Sequence, residues 1–130
     1  MRKKLLVVDD DPLFIDFVKE VFAAEEIDVI SSPDGRAALS LIKNAPPSFI
    51  LSDFEMPEMN GIKLHTALSE DHATRDIPFF FMTGSSDPDL TLYAEQRGVE
   101  VFYKTDIVRE LLRLLEKLKE IPPTSSTAFS

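Results

Sequence analysis

The sequence predicts an α/β fold in which one doubly wound sheet of five parallel strands is flanked by five helices. Three observations predict it. Short β-rich apolar runs alternate along the chain with segments of helical spacing. The runs at residues 5–8, 49–51 and 77–82 are almost continuously apolar, as strands covered on both faces must be. Asp-Pro or Ser-Pro pairs stand where helices should begin, and Gly98 stands where one should end.

The first strand is Leu5-Leu6-Val7-Val8, followed by Asp9-Asp10-Asp11. Asp11-Pro12 reads as an N-cap with Pro at the first helical position. Phe14, Phe17, Val18 and Val21 then form one apolar stripe. Ile27-Asp28-Val29-Ile30 is the second strand, and Ser32-Pro33 marks the start of the second helix. The third strand, Phe49-Ile50-Leu51, leads to Asp53, and the third helix follows Gly61. The fourth strand, residues 77–82, runs into Thr83-Gly84. Its Phe79-Phe80-Phe81 run is expected to fill core on both faces. Asp87-Pro88 starts the fourth helix. The fifth strand, residues 99–103, ends at Lys104. The last helix, residues 106–119, carries Ile107, Leu111, Leu114, Leu115 and Leu118 on one face, with Val108 and Leu112 widening the stripe. We assign residues 3–119 to one domain and expect 120–130, rich in Pro, Ser and Thr, to be a disordered tail or linker stub.

Composition narrows the function. The 130 residues include 14 Lys+Arg against 23 Asp+Glu, a formal net charge of −9. With no basic stripe to neutralise phosphates, nucleic acid is not an expected partner. The absence of cysteine removes thiol nucleophiles and sulfur-based zinc sites. No apolar run approaches a membrane span, and the apolar run after Met1-Arg2-Lys3-Lys4 stops at three aspartates, too early for a signal peptide. The chain therefore reads as cytoplasmic.

In doubly wound sheets, ligands bind at the carboxyl ends of the strands. Here those ends carry Asp9, Asp10 and Asp11, then Asp53, Thr83 and Lys104. Crowded carboxylates repel unless a cation joins them, and carboxylate oxygens suit Mg²⁺, which leaves room for phosphate oxygens. A hydroxyl and an ammonium suit the remaining phosphoryl oxygens. The constellation points to phosphoryl transfer with an aspartate nucleophile. Taken singly, each residue has a plainer role: Asp11 is a helix cap, and a lone Thr or Lys at a strand end is commonly solvated. His65 and His72 are expected at the surface, away from this edge. Met56 and Met59 are expected to pack rather than ligate, because Mg²⁺ avoids sulfur.

Over residues 3–119 the sequence resembles the receiver domain of two-component response regulators, the chemotaxis-regulator-like, flavodoxin-like receiver fold. The resemblance rests on Leu-Leu-Val-Val-Asp-Asp-Asp at 5–11, Asp53-Phe-Glu-Met-Pro-Glu-Met-Asn-Gly61, Ile77-Pro78 leading to Met82-Thr83-Gly84, and Lys104. It implies that Asp53 accepts a phosphoryl group from a sensor histidine kinase or phosphotransfer protein. It implies Mg²⁺ held by Asp53, Asp10, the backbone carbonyl of Glu55 and, through water, Asp9. It also implies that Lys104 contacts the acyl phosphate and that Thr83 turns its hydroxyl to a phosphoryl oxygen to start a switch. The expected product is a signalling domain with weak self-dephosphorylation at most. Its implied partners are an output domain, a docking partner or a second copy in a phosphorylation-dependent homodimer, with no membrane partner. Two departures stand out: Thr105 follows Lys104 where the family usually has Pro, and Val101 takes the usual place of the switch aromatic, leaving Tyr103 on the same strand face as the nearest aromatic. The alternatives are a receiver-like scaffold that signals without phosphate and a small haloacid-dehalogenase-like phosphatase. The second is weakened because Leu13 stands where those enzymes have Thr or Val, and because it gives the Asp53 segment no role.

Overall fold

The computed structural model describes residues 2–56 and 59–121. In chain order they form β1 (Lys3–Val8), α1 (Pro12–Phe22), β2 (Ile27–Ser32), α2 (Gly35–Asn44) and β3 (Phe49–Asp53). Then follow α3 (Gly61–Ser69), β4 (Phe79–Thr83), α4 (Pro88–Arg97) and β5 (Glu100–Tyr103), a single 3₁₀ turn (Lys104–Asp106), and α5 (Ile107–Glu120). The strands make one parallel sheet in the order β2-β1-β3-β4-β5. From β1 the chain first moves outward to β2, then crosses back to place β3 on the other side of β1. The switch point is therefore at the C-terminal ends of β1 and β3.

Alternation along the strands divides the core into two layers. Leu5, Val7, Leu51, Phe80, Met82 and Phe102 meet Phe14, Val18 and Phe22 of α1 and Leu111, Leu114, Leu115 and Leu118 of α5. On the opposite face Leu6, Val8 and Ile50 meet Ala38 and Ile42 of α2 and Leu64 and Leu68 of α3. Phe81, with Phe54, packs there against Leu90 of α4. The three consecutive phenylalanines thus serve both faces, as their position in a central strand predicts. Val108 and Leu112 stay about half exposed and do not join the α5 core stripe.

Local hydrogen bonding explains where observed boundaries differ from the expected ones. Ser32 does not begin α2. It pairs with Val8 as the last residue of β2, and its carbonyl accepts from the Asp9 amide. Asp34 is the cap, accepting from the Ala37 amide at 2.8 Å. Ile77 is used by the preceding turn, donating to Thr74, so β4 starts two residues later than expected. Val99 donates to Ala94 in the α4 cap, where Gly98 takes the left-handed φ of 68° that favours glycine, so β5 starts at Glu100. Asp106 closes the 3₁₀ turn and makes no side-chain cap bond; α5 begins at Ile107 and runs to Glu120, one residue into the expected tail. The rest of that tail, 122–130, lies outside the described residues.

The edge strand β5 is covered by α5 side chains. The Tyr103 amide donates to Glu110 at 2.9 Å, and Arg113 donates to the Val101 carbonyl, to Glu110 and to Glu100. These bonds occupy edge groups that would otherwise pair with another strand.

Candidate functional site

Adjacent strands deliver the acids. Asp9 and Asp10 follow β1, and Asp53 ends β3. One carboxylate oxygen from each lies within 4.8 Å of the others. Asp9 is 1% exposed, Asp53 is half-buried and Asp10 is exposed. Asp9 is held from both ends: Oδ1 accepts from the Asp11 amide at 2.9 Å, and Oδ2 accepts from Lys104 at 2.7 Å. Asp11 caps α1 by accepting from the Leu13 amide at 3.0 Å, as the sequence predicts.

Lys104 comes from the far end of the sheet. Leaving β5, it passes β4 and places Nζ 3.7 Å from Asp53 Oδ2 while bonded to Asp9. Burial works against its charge. The hydrogen bond to Asp9 and the charges of Asp53, Asp9 and Asp11 outweigh that, so its pKa is raised above the ordinary lysine range. Asp53 is pushed up to about 6, first by burial. Lys104 opposes the rise, Asp9 adds to it, and the backbone amides of Phe54 and Glu55 oppose it. Three carboxylates against one ammonium leave two negative charges unbalanced when all are ionised, the charge of one divalent cation. The oxygen-only donor set fits Mg²⁺.

Phe54 and Gly61, at the two ends of the β3–α3 connection, are held close together at this edge. The Gly61 amide donates to the Phe54 carbonyl at 2.8 Å. A Cβ on Gly61 would lie 2.7 Å from the Asp53 carbonyl oxygen and 2.9 Å from the Phe81 ring, so only glycine fits there unmoved. Met56 and Met59 pack against the α2–α3 layer, the packing role expected of them. Glu55 has an exposed side chain in this loop; Pro57 and Glu58 of the motif lie outside the described residues.

Thr83 ends β4 and is 2% exposed. Its hydroxyl donates to the Ser85 carbonyl at 3.0 Å, so in this structure it belongs to its own loop rather than to the acids. Val101 packs in the α4 layer and Tyr103 is more than a third exposed. The described backbone contains no cis peptide bond, Lys104–Thr105 included.

His65 corrects an expectation. It is half-buried in the α3–α4 interface, not at the surface. Its Nδ1 lies 2.6 Å from the Tyr93 hydroxyl, and its ring stacks edge-on with Phe79 at 4.9 Å. Burial, then Arg97, lowers its pKa and favours the neutral imidazole. Counting i, i+3 and i+4 from Gly61 puts Leu64 and His65 on one side of α3 and could have found it. His72 is exposed as expected. Sequence reading also missed Phe14 as a neighbour of Lys104 and Ser85 as the acceptor for Thr83, since nothing in spacing alone brings those pairs together.

Known proteins resemble this chain in sequence and in fold. Residues 5–119 match the family model described as the response regulator receiver domain. The DNA-binding response regulator MtrA of Mycolicibacterium smegmatis is 31% identical over 113 residues, 86% of this chain and 48% of that protein. Response regulator SaeR of Staphylococcus aureus is 29% identical over 121 residues, 89% of this chain and 52% of that protein. The chain thus spans about half the length of these curated relatives. Among solved structures, chemotaxis response regulator CheY4 of Vibrio cholerae superposes with a TM-score of 0.80 at 24% identity, covering 90% of this chain and 98% of that one. The phosphorylated cyanobacterial phytochrome response regulator RcpA superposes with a TM-score of 0.81 at 20% identity, covering 92% and 93%. These two likenesses concern the fold. The family match leaves the phosphatase alternative without support.

Proposed function

We propose that this chain, which belongs to the family of response regulator receiver domains, accepts a phosphoryl group on Asp53 in a Mg²⁺-dependent reaction. The observation that supports this most is the meeting of Asp9, Asp10 and Asp53 with Lys104 within reach of two of them. An Asp53 oxygen attacks the phosphorus of a phosphohistidine on a sensor kinase or phosphotransfer protein. The P–N bond breaks, the imidazole leaves with its electron pair and takes a proton, and an acyl phosphate forms. Asp9, Asp10, Asp53 and the Glu55 carbonyl would hold Mg²⁺, which when bound supplies charge neutralisation for the transferred phosphoryl oxygens.

The chain's own residues do the rest. Lys104 turns from Asp9 toward the new dianion on Asp53. Thr83 gives up the Ser85 carbonyl for a phosphoryl oxygen, and the β4–α4 loop changes state with it. The domain over residues 3–119 is then a signalling switch rather than a metabolic enzyme. Its readers are an output domain, a docking partner or a second copy. Val108 and Leu112, one turn apart on α5 and about half exposed, give such a reader an apolar patch to meet.

Phosphoramidate, whose P–N bond resembles that of phosphohistidine, tests the chemistry. We expect Mg²⁺-dependent formation of a hydroxylamine-labile protein phosphate. A phosphate stable to hydroxylamine, or none, contradicts acyl phosphate formation on Asp53.

A further inference from the structure

Lys104 is held by more than carboxylates. Its Nζ lies 4.4 Å from the centroid of the Phe14 ring, within cation–π range. The same nitrogen is 2.7 Å from Asp9 and 3.7 Å from Asp53. Phe14 is 5% exposed and fixed in the core layer between the sheet, α1 and α5. Its place is set by the turn that carries the acids. Asp9 accepts from the Asp11 amide, Asp11 caps α1, and Phe14 is the third residue of that helix.

We propose that Phe14 is a positioning residue for Lys104. Its ring face is an uncharged seat on which the ammonium rests between Asp9 and Asp53. A lysine side chain gives up much rotamer freedom to be held in one place, and Lys104 keeps 23% of its side chain exposed, so water competes for it. A further carboxylate at this position would hold the ammonium too tightly to release it. An aliphatic side chain would fill the space without attracting it. The ring attracts without a preferred direction, so the ammonium can exchange Asp9 for an oxygen on phosphorylated Asp53 while staying seated. The inference rests on the phosphoacceptor reading above.

The test compares wild type, Phe14→Leu and Phe14→Tyr, with Phe14→Met in reserve should the leucine variant fail to fold. The first readout is the rate of phosphorylation by acetyl phosphate across a Mg²⁺ titration. The second is the NMR shift of the Lys104 ε-methylene protons, which a ring face moves upfield. We expect Phe14→Leu to be slower by roughly three- to tenfold, the size of one partly solvated cation–π contact, with half-saturating Mg²⁺ unchanged. Phe14→Tyr should restore the rate to within about twofold, since it keeps the ring face. The upfield shift should be present in wild type and Phe14→Tyr and lost in Phe14→Leu. A folded Phe14→Leu at wild-type rate, equal slowing in both variants, or ordinary Lys104 shifts in wild type would overturn the proposal. If wild type takes no phosphate, the phosphoacceptor reading fails, and the NMR shift alone then decides whether the seat exists: an upfield shift upholds it and an ordinary one overturns it.

Discussion

Asp53 is the residue on which most depends, and its carboxylate is held in the folded chain at a cost. Its folded pKa is about 6 against an ordinary 3.8. A raised pKa gives stability that is complete below 3.8 and lost as pH rises through 6. Near neutral pH the ionised form therefore destabilises metal-free protein. We expect Asp53→Asn to raise the melting temperature at pH 7 by a few degrees, on the order of 1 kcal/mol after allowing for solvent screening, and to change it little at pH 4. Thermal melts at the two pH values check this, and a lower melting point at pH 7 contradicts it. Asp10→Ala should weaken Mg²⁺ binding while leaving the fold intact, because Asp10 is exposed and anchors no backbone; calorimetric titration with Mg²⁺ reads it, and an unchanged affinity removes Asp10 from the ligand set. At this scale the sequence was informative about chemistry. The three strand-end aspartates and Lys104 were legible because topology alone sends them to one edge. Phe14 beneath Lys104 was not, because that contact depends on how far α1 and β5 reach over the sheet.

At the scale of elements, two devices carry testable consequences. The loop after β3 is closed by Gly61, whose missing side chain lets the Asp53 carbonyl and the Phe81 ring approach. Gly61→Ala should destabilise the fold by roughly 1–3 kcal/mol, as overpacking does, and chemical denaturation measures it; a neutral result would mean that the loop is looser than the structure has it. The α3–α4 interface is tied by His65 and Tyr93. His65 is held neutral, with a pKa below its ordinary 6.5. A lowered histidine pKa gives stability that is present above 6.5 and lost as pH falls, because the unfolded chain takes the proton first. His65→Gln should therefore flatten the loss of stability on acidification from pH 7 to 5, a range in which Asp53 acts in the opposite sense. Denaturation series at several pH values test this, and an unchanged slope contradicts it. Element existence and order were legible from alternation and caps. Boundaries shifted where a backbone group was already committed, the carbonyl of Ser32 and the amides of Ile77 and Val99, and commitments of that kind leave no mark in local sequence.

The whole molecule is a parallel sheet whose crossover places the acids at the β1–β3 switch point, with α1 and α5 on one face and α2, α3 and α4 on the other. No helix among the described residues is long and apolar enough to cross a membrane. The receiver resemblance and the doubly wound parallel sheet of five strands were legible in the sequence. The resting engagement of Thr83 with Ser85 was not, since it depends on a loop conformation. We propose that this architecture makes Asp53 a Mg²⁺-dependent phosphoacceptor. Intact mass spectrometry after incubation with acetyl phosphate, with and without Mg²⁺, tests it most directly beside Asp53→Asn. We expect the gain of one phosphoryl group in wild type with Mg²⁺ only, and none in Asp53→Asn. No gain in wild type, or an equal gain in the variant, would contradict it.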